Sequence, residues 1–174
     1  MRFSPGLLLL LPLLSPLAHA ELIDDVNDRG ELRIALEANT PPYNFKEGDK
    51  LTGFEVELGE LLAKEMDVRA SFITTDDADM LPGVATGKYD VAINHIAKTA
   101  ELEDQFDFSE AYHEKPELVI PFQKGNPAFK TSVDGALKRM KDDGRLKTLS
   151  QKWFEADAPT GASAPVPPPA APAH

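Results

Sequence analysis

Cysteine is absent from the 174 residues. Disulfides, thiolate metal sites and thiol nucleophiles are thereby excluded, and the fold must hold by its core. Positive charge is scarce: 18 Lys and Arg stand against 29 Asp and Glu, for a net charge of −11. That balance makes nucleic acid and anionic membrane surfaces poor partners. Also missing are a glycine-rich phosphate loop, a nucleophile elbow and a pair of His at metal-ligand spacing. No cofactor is expected. The apolar run from Leu7 to Leu14 is too short to span a membrane, and no stop-transfer pattern follows it.

That run has another use. Arg2 precedes it, and Ala18, His19 and Ala20 supply small residues for cleavage. Residues 1–20 therefore read as a secretory signal peptide cut after Ala20. No Cys stands at the cut to carry a lipid, so a soluble chain in a bacterial periplasm is expected. Residues 155–174 are rich in Pro and Ala and read as a disordered tail with nothing to bury. One folded domain is left, residues 21–154, large enough for one core.

Within that domain, strand and helix patterns alternate. Glu31 to Leu36 alternates in polarity and runs into a Thr40-Pro41-Pro42-Tyr43 turn. Thr52 and Glu55 have capping-box spacing, and Phe54, Leu58, Leu61, Leu62 and Met66 then share a helical face. Arg69 to Thr74, Tyr89 to Asn94 and Leu118 to Phe122 read as further strands. A short helix is expected from Asp79 to Thr86, closed by Gly87. Val133, Ala136, Leu137 and Met140 mark a helix stopped at Gly144. Leu146, Leu149 and Trp153 line the last one. This order predicts an α/β fold, a mixed sheet flanked by helices.

The segment "NHIAKTAELED", residues 94–104, joins a buried strand to a helix start. Unpaired backbone N–H groups at such a junction favour an anionic ligand, yet the only cation here is Lys98. Asp76, Asp77 and Asp79 form an acidic cluster best read as complementing a helix N-terminus. His95 and His113 lie apart and read as rim residues.

"ELRIALEANTPPYNF", "LTGFEVELGELLAKEM", "MLPGVATGKYDVAIN" and "FDFSEAY" occur in that order. Together they resemble the first lobe of the periplasmic solute-binding proteins that serve polar amino-acid ABC transporters. "KGNPAFKTSVDGALKRMKDDGRLKTLSQKWF" resembles that family's closing helices. The resemblance implies a type II periplasmic-binding-protein lobe, with the second lobe missing between Phe122 and Lys124. It also implies a changed pocket. Thr40 and Asp77 stand where the family has aromatic residues, Ala97 where it has a hydroxyl, and Leu102 where it has a carboxylate-clamping Arg. His95 replaces a small residue, usually Gly. Thr99 and Glu101 keep a helix-start pattern, and Tyr43 keeps an aromatic near the cleft.

The candidate ligand-binding residues are thus Thr40, Tyr43, Asp77, Asn94, His95, Ala97, Lys98 and Thr99. The expected function is binding of a small polar solute, an amino acid or amine, with an ABC-transporter permease or another periplasmic protein as partner. The alternative is an accessory protein that has lost amino-acid binding. An acid–base pair of Asp77 and His95 is the weakest reading, and no enzymatic activity is expected. The short connection from Gln123 to Pro127 either turns back or sends the closing helices to a second chain. The second option, a domain-swapped homodimer, is slightly preferred.

Overall fold

A computed structural model describes residues 21–155. Residues 1–20, expected to be a signal peptide, and the part of the expected tail beyond Glu155 lie outside the described residues. The chain runs through α1 (Leu22–Arg29), β1 (Glu31–Leu36), β2 (Asn39–Thr40), β3 (Asn44–Glu47), β4 (Lys50–Thr52), α2 (Phe54–Glu65) and β5 (Arg69–Thr74). It continues through α3 (Asp77–Ala85), β6 (Val91–Ala92), α4 (Ala100–Gln105), β7 (Phe106–Phe108), β8 (His113–Glu114) and β9 (Glu117–Leu118). β10 (Pro121–Gln123), α5 (Pro127–Asp142), α6 (Arg145–Ser150) and a π-helical turn, Gln151–Glu155, close it.

The main sheet has the order β5-β1-β6-β10-β7. β1 is parallel to β5 and β6, and β10 is antiparallel to β6 and β7. Period-two alternation divides the core between the two faces. Leu32 and Ile34 of β1, and Val91 and Ile93 at β6, face the larger cluster with α1, α2, α5 and α6. Ala35 and Ala92 face the other side, with Met80 and Val84 of α3. β2, β3 and β4 form a separate antiparallel ribbon that brings Asn44 to the end of β1.

Several expectations need correction. The helix expected from Asp79 begins at Asp77. The strand expected from Tyr89 to Asn94 is ladder-paired only at Val91–Ala92. Thr52 caps nothing: Gly53 is the N-cap of α2, without a side-chain cap bond. Only glycine fits there, because φ is 128° and a Cβ would meet the Tyr43 carbonyl oxygen at 2.3 Å. The sequence reading had no place for α1 or for the β2–β4 ribbon.

The segment from Leu118 to Phe122 is the return limb of a hairpin. Phe106–Glu114 and Glu117–Gln123 are the two limbs of one interrupted antiparallel hairpin, turned at Lys115 and Pro116. Ser109 to Tyr112 bulges opposite Val119 and Ile120, where Ser109 N donates to Ile120 O at 3.0 Å and Tyr112 N to Leu118 O at 2.9 Å. The return is thus complete before Lys124. The chain next turns through Gly125, with φ 83°, whose N–H donates to Asp107 Oδ2 at 2.9 Å. Asn126 Nδ2 donates to Gln123 O at 2.9 Å, and Phe129 stacks edge-on against Phe122 at 4.9 Å. α5 therefore packs on its own lobe. Of the two courses open to residues 123–127, the described chain takes the turn back.

Candidate functional site at the carboxyl ends of β1 and β6

In doubly wound sheets, ligands bind outside the carboxyl ends of the strands where the winding direction switches. Here that point lies between β1 and β6. Glu37 follows β1, and Asn94 lies just past β6. Asn94 is buried and joins the two chain segments. Its Oδ1 accepts from Glu37 N at 2.9 Å and from Asn44 Nδ2 at 3.1 Å, while its Nδ2 donates to Glu37 Oε2 at 3.2 Å.

Beneath this junction is Glu55, with 0% of its surface exposed. The tight entry at Gly53 puts it there. Phe54 N and Glu55 N donate to the carbonyls of Pro42 and Tyr43, at 2.9 and 2.8 Å, which ties the first turn of α2 to the Pro-Pro turn. The side chain then points inward. Asn44 Nδ2 donates to Glu55 Oε2 at 2.5 Å, Tyr112 Oη donates to Oε1 at 2.7 Å, and the His95 backbone N–H donates to Oε1 as well. Burial raises the Tyr112 hydroxyl pKa well above the ordinary tyrosine range, and the Glu55 carboxylate raises it further. Tyr112 is therefore a neutral donor.

His95 adopts φ 44°, a left-handed conformation costing a side-chain-bearing residue about 1 kcal/mol. Its Nδ1 lies 3.7 Å from Glu55 Oε2, too far for a hydrogen bond but within electrostatic reach. Interaction with Glu55 raises the His95 pKa above its ordinary 6.5, with smaller contributions from Glu37 and Asp77 and partial opposition from burial. The imidazole packs on Tyr43 at 5.3 Å, Tyr43 on Phe154 at 5.2 Å, and Phe154 on His113 at 5.1 Å. The two histidines thus flank one aromatic chain without sharing a site. His113 Nδ1 is instead 2.8 Å from Pro116 O.

Residues 32–156 match the bacterial extracellular solute-binding proteins, family 3. The chain belongs to that family. It is 37% identical over 135 residues to the L-cystine-binding protein TcyJ of Escherichia coli K12, which covers 76% of this chain and 50% of that protein. A probable histidine-binding protein of Campylobacter jejuni is 28% identical over 133 residues, covering 76% and 51%. The chain spans about half the length of these curated relatives. Among solved structures, the ancestral amino acid-binding protein AncCDT-1, a precursor of cyclohexadienyl dehydratase, shares the fold with TM-score 0.73 at 21% identity, covering 78% of this chain and 100% of that one. A point mutant of the arginine-bound form of domain 1 from TmArgBP has TM-score 0.66 at 25% identity, covering 69% and 98%. The described residues are one type II lobe of this family.

Within that lobe, the residues expected at the site separate into two groups. Asn94, His95 and Tyr43 come together around Glu55, and Asp77 opens α3 close enough to act on His95. Thr40 is half-buried on the ribbon, where its hydroxyl donates to Asn39 Oδ1 at 2.9 Å. Ala97, Lys98 and Thr99 are exposed. Thr99 Oγ1 accepts from Leu102 N at 3.2 Å, the N-cap role its sequence implied. Lys98 is paired with Glu103 at 3.0 Å, and both line a separate cavity of about 290 Å³ with Phe108, Ser109 and Lys130. The sequence reading missed Glu37, Asn44, Glu55 and Tyr112. Glu55 had a visible signal, since an acid inside an otherwise apolar helix face needs partners, but the capping-box reading absorbed it.

Proposed function

We propose that this chain is a one-lobed periplasmic solute-binding protein that holds a small polar solute between Glu37, Tyr43, Asp77, Asn94 and His95. The supporting observation is the Glu55 network. It fixes Asn94 and the His95 backbone at the switch point of the sheet, so the polar lining is ordered before a solute arrives. The curated relatives named above are amino-acid-binding proteins, and a lone domain 1 is known in an arginine-bound form. A single lobe of this fold therefore suffices in that protein. Delivery to an ABC-transporter permease is the role that family membership suggests.

The test is a thermal-shift panel of amino acids, amines and organic acids at millimolar concentration. The expected result is a rise in melting temperature with at least one class, lost in Asn94→Ala. No rise across the panel rejects solute binding and leaves docking to another periplasmic protein as the better account. We favour a monomer over the homodimer expected from the sequence; the hairpin and the Gly125 turn support it by giving α5 a short path back onto its own lobe. Light scattering giving a dimer mass at low micromolar concentration would reverse that choice.

A further inference from the structure

The class of solute follows from the charges and hydrogen-bonding atoms around His95, and this inference rests on the solute-binding reading above. Every Arg among the described residues is committed elsewhere: Arg29 and Arg33 to Asp90, Arg69 to Glu31, and Arg139 and Arg145 to Glu65. Lys98 is committed to Glu103. Glu37, Glu55 and Asp77 all act on His95, and among the described residues neither Glu37 nor Asp77 forms an ion pair with Lys or Arg.

The buried atoms point the same way. Asn44 is 0% exposed, and its Oδ1 has no hydrogen-bond donor. Its amide cannot be reversed to cure this, because its Nδ2 already serves two acceptors, Glu55 Oε2 at 2.5 Å and Asn94 Oδ1 at 3.1 Å. Reversal would set oxygen against oxygen. The other buried atom without a partner, His95 Nδ1, faces Glu55 at 3.7 Å, so the site combines one unfilled acceptor with two carboxylates that no Lys or Arg among the described residues neutralises. An ammonium group brings three donors and no acceptor, and an amidinium brings donors only. An α-amino acid would also bring a carboxylate. That carboxylate would be desolvated beside Glu37 and Asp77, and the cation the site itself holds, protonated His95, already faces Glu55.

We propose that the site takes an organic cation, a primary amine or amidine bearing no carboxylate, with Glu37 and Asp77 as its counter-charges and Asn44 Oδ1 as the one unfilled neutral acceptor beside them.

Matched pairs test this on the full chain by isothermal titration: arginine against agmatine, lysine against cadaverine, histidine against histamine. The expected result is that an amine binds at least about tenfold tighter than its parent amino acid. Glu37→Gln should weaken that amine by about tenfold while the free protein's melting temperature is unchanged. Equal or tighter binding of an amino acid overturns the cation class but leaves solute binding standing. Amine binding that survives both Glu37→Gln and Asp77→Asn is diffuse surface attraction, and it overturns the proposal as well. Binding of neither member of any pair, together with a flat thermal panel, removes both readings at once.

Discussion

Two buried carboxylates lie at opposite ends of β6, and the fold treats them differently. Asp90, just before the strand, meets permanent cations. Arg29 reaches it at 2.6 Å and Arg33 at 2.9 Å, and the Arg33 backbone N–H adds a bond at 2.8 Å. Glu55, beneath the other end, meets no permanent cation among the described residues. Its partners are an amide, a phenol, a backbone N–H and one imidazole that can gain or lose a proton. Guanidinium pairs fix charge regardless of pH. Neutral donors and a His leave the surroundings of Glu55 open to change by pH or by a ligand. The amino end of the sheet is therefore built for stability, and the carboxyl end for response.

The largest expected effect breaks the stable end. Asp90→Ala would strand two arginines beside β1 that are only partly exposed. Removing one partner of a buried pair costs about 3–5 kcal/mol, and the residual exposure of the arginines puts this case near about 3 kcal/mol. Urea unfolding measures it. The solute-induced thermal shift should keep its size in the fraction that folds. A loss below about 1 kcal/mol would show that the Asp90 cluster is no firmer than a surface ion pair.

A smaller effect sharpens the other end. His95 has its pKa raised in the folded state by Glu55, from an ordinary value of 6.5. The stability it contributes is fully present below about pH 6.5 and is lost as pH rises through the higher folded-state pKa. His95→Asn tolerates the left-handed backbone and keeps the N–H bond to Glu55, so it removes the titration together with the pH-independent ring contact to Tyr43. The wild-type advantage over this variant should be larger at pH 5.5 than at pH 8.5. A pH-independent difference between the two chains would mean that Glu55 and His95 are not coupled.

The same contrast explains what the sequence could disclose. Val133, Ala136, Leu137 and Met140 are all fully buried or nearly so, as their helical spacing implies, because α5 obeys a local period. Thr99 likewise caps α4 through a contact three residues away. Asn94 and His95 could be picked out as candidates because the strand–loop–helix junction is continuous in sequence. Glu55 was not, because its partners Asn44, His95 and Tyr112 come from four different segments with its own. No local pattern encodes such a meeting. The hairpin was misread for a related reason. Lys115 and Pro116 turn the chain with little apolar pattern around them, so the return limb looked like a lone strand.

The smallest effect concerns Lys98, the cation that first made the 94–104 loop look like an anion site. Its ammonium pairs with Glu103, which raises its pKa, and both groups are largely in solvent. Water and salt screen such a pair, so its loss changes little. Lys98→Ala should therefore leave the urea midpoint unchanged within error. It should also leave amine binding unchanged or slightly tighter, since one repelling charge is gone. Titration of the variant beside Glu37→Gln makes the comparison internal: one charge removed on each side of the loop, with opposite consequences. Amine binding that falls equally in both variants would return Lys98 to the site and end the division of this loop into a responsive side and an inert one.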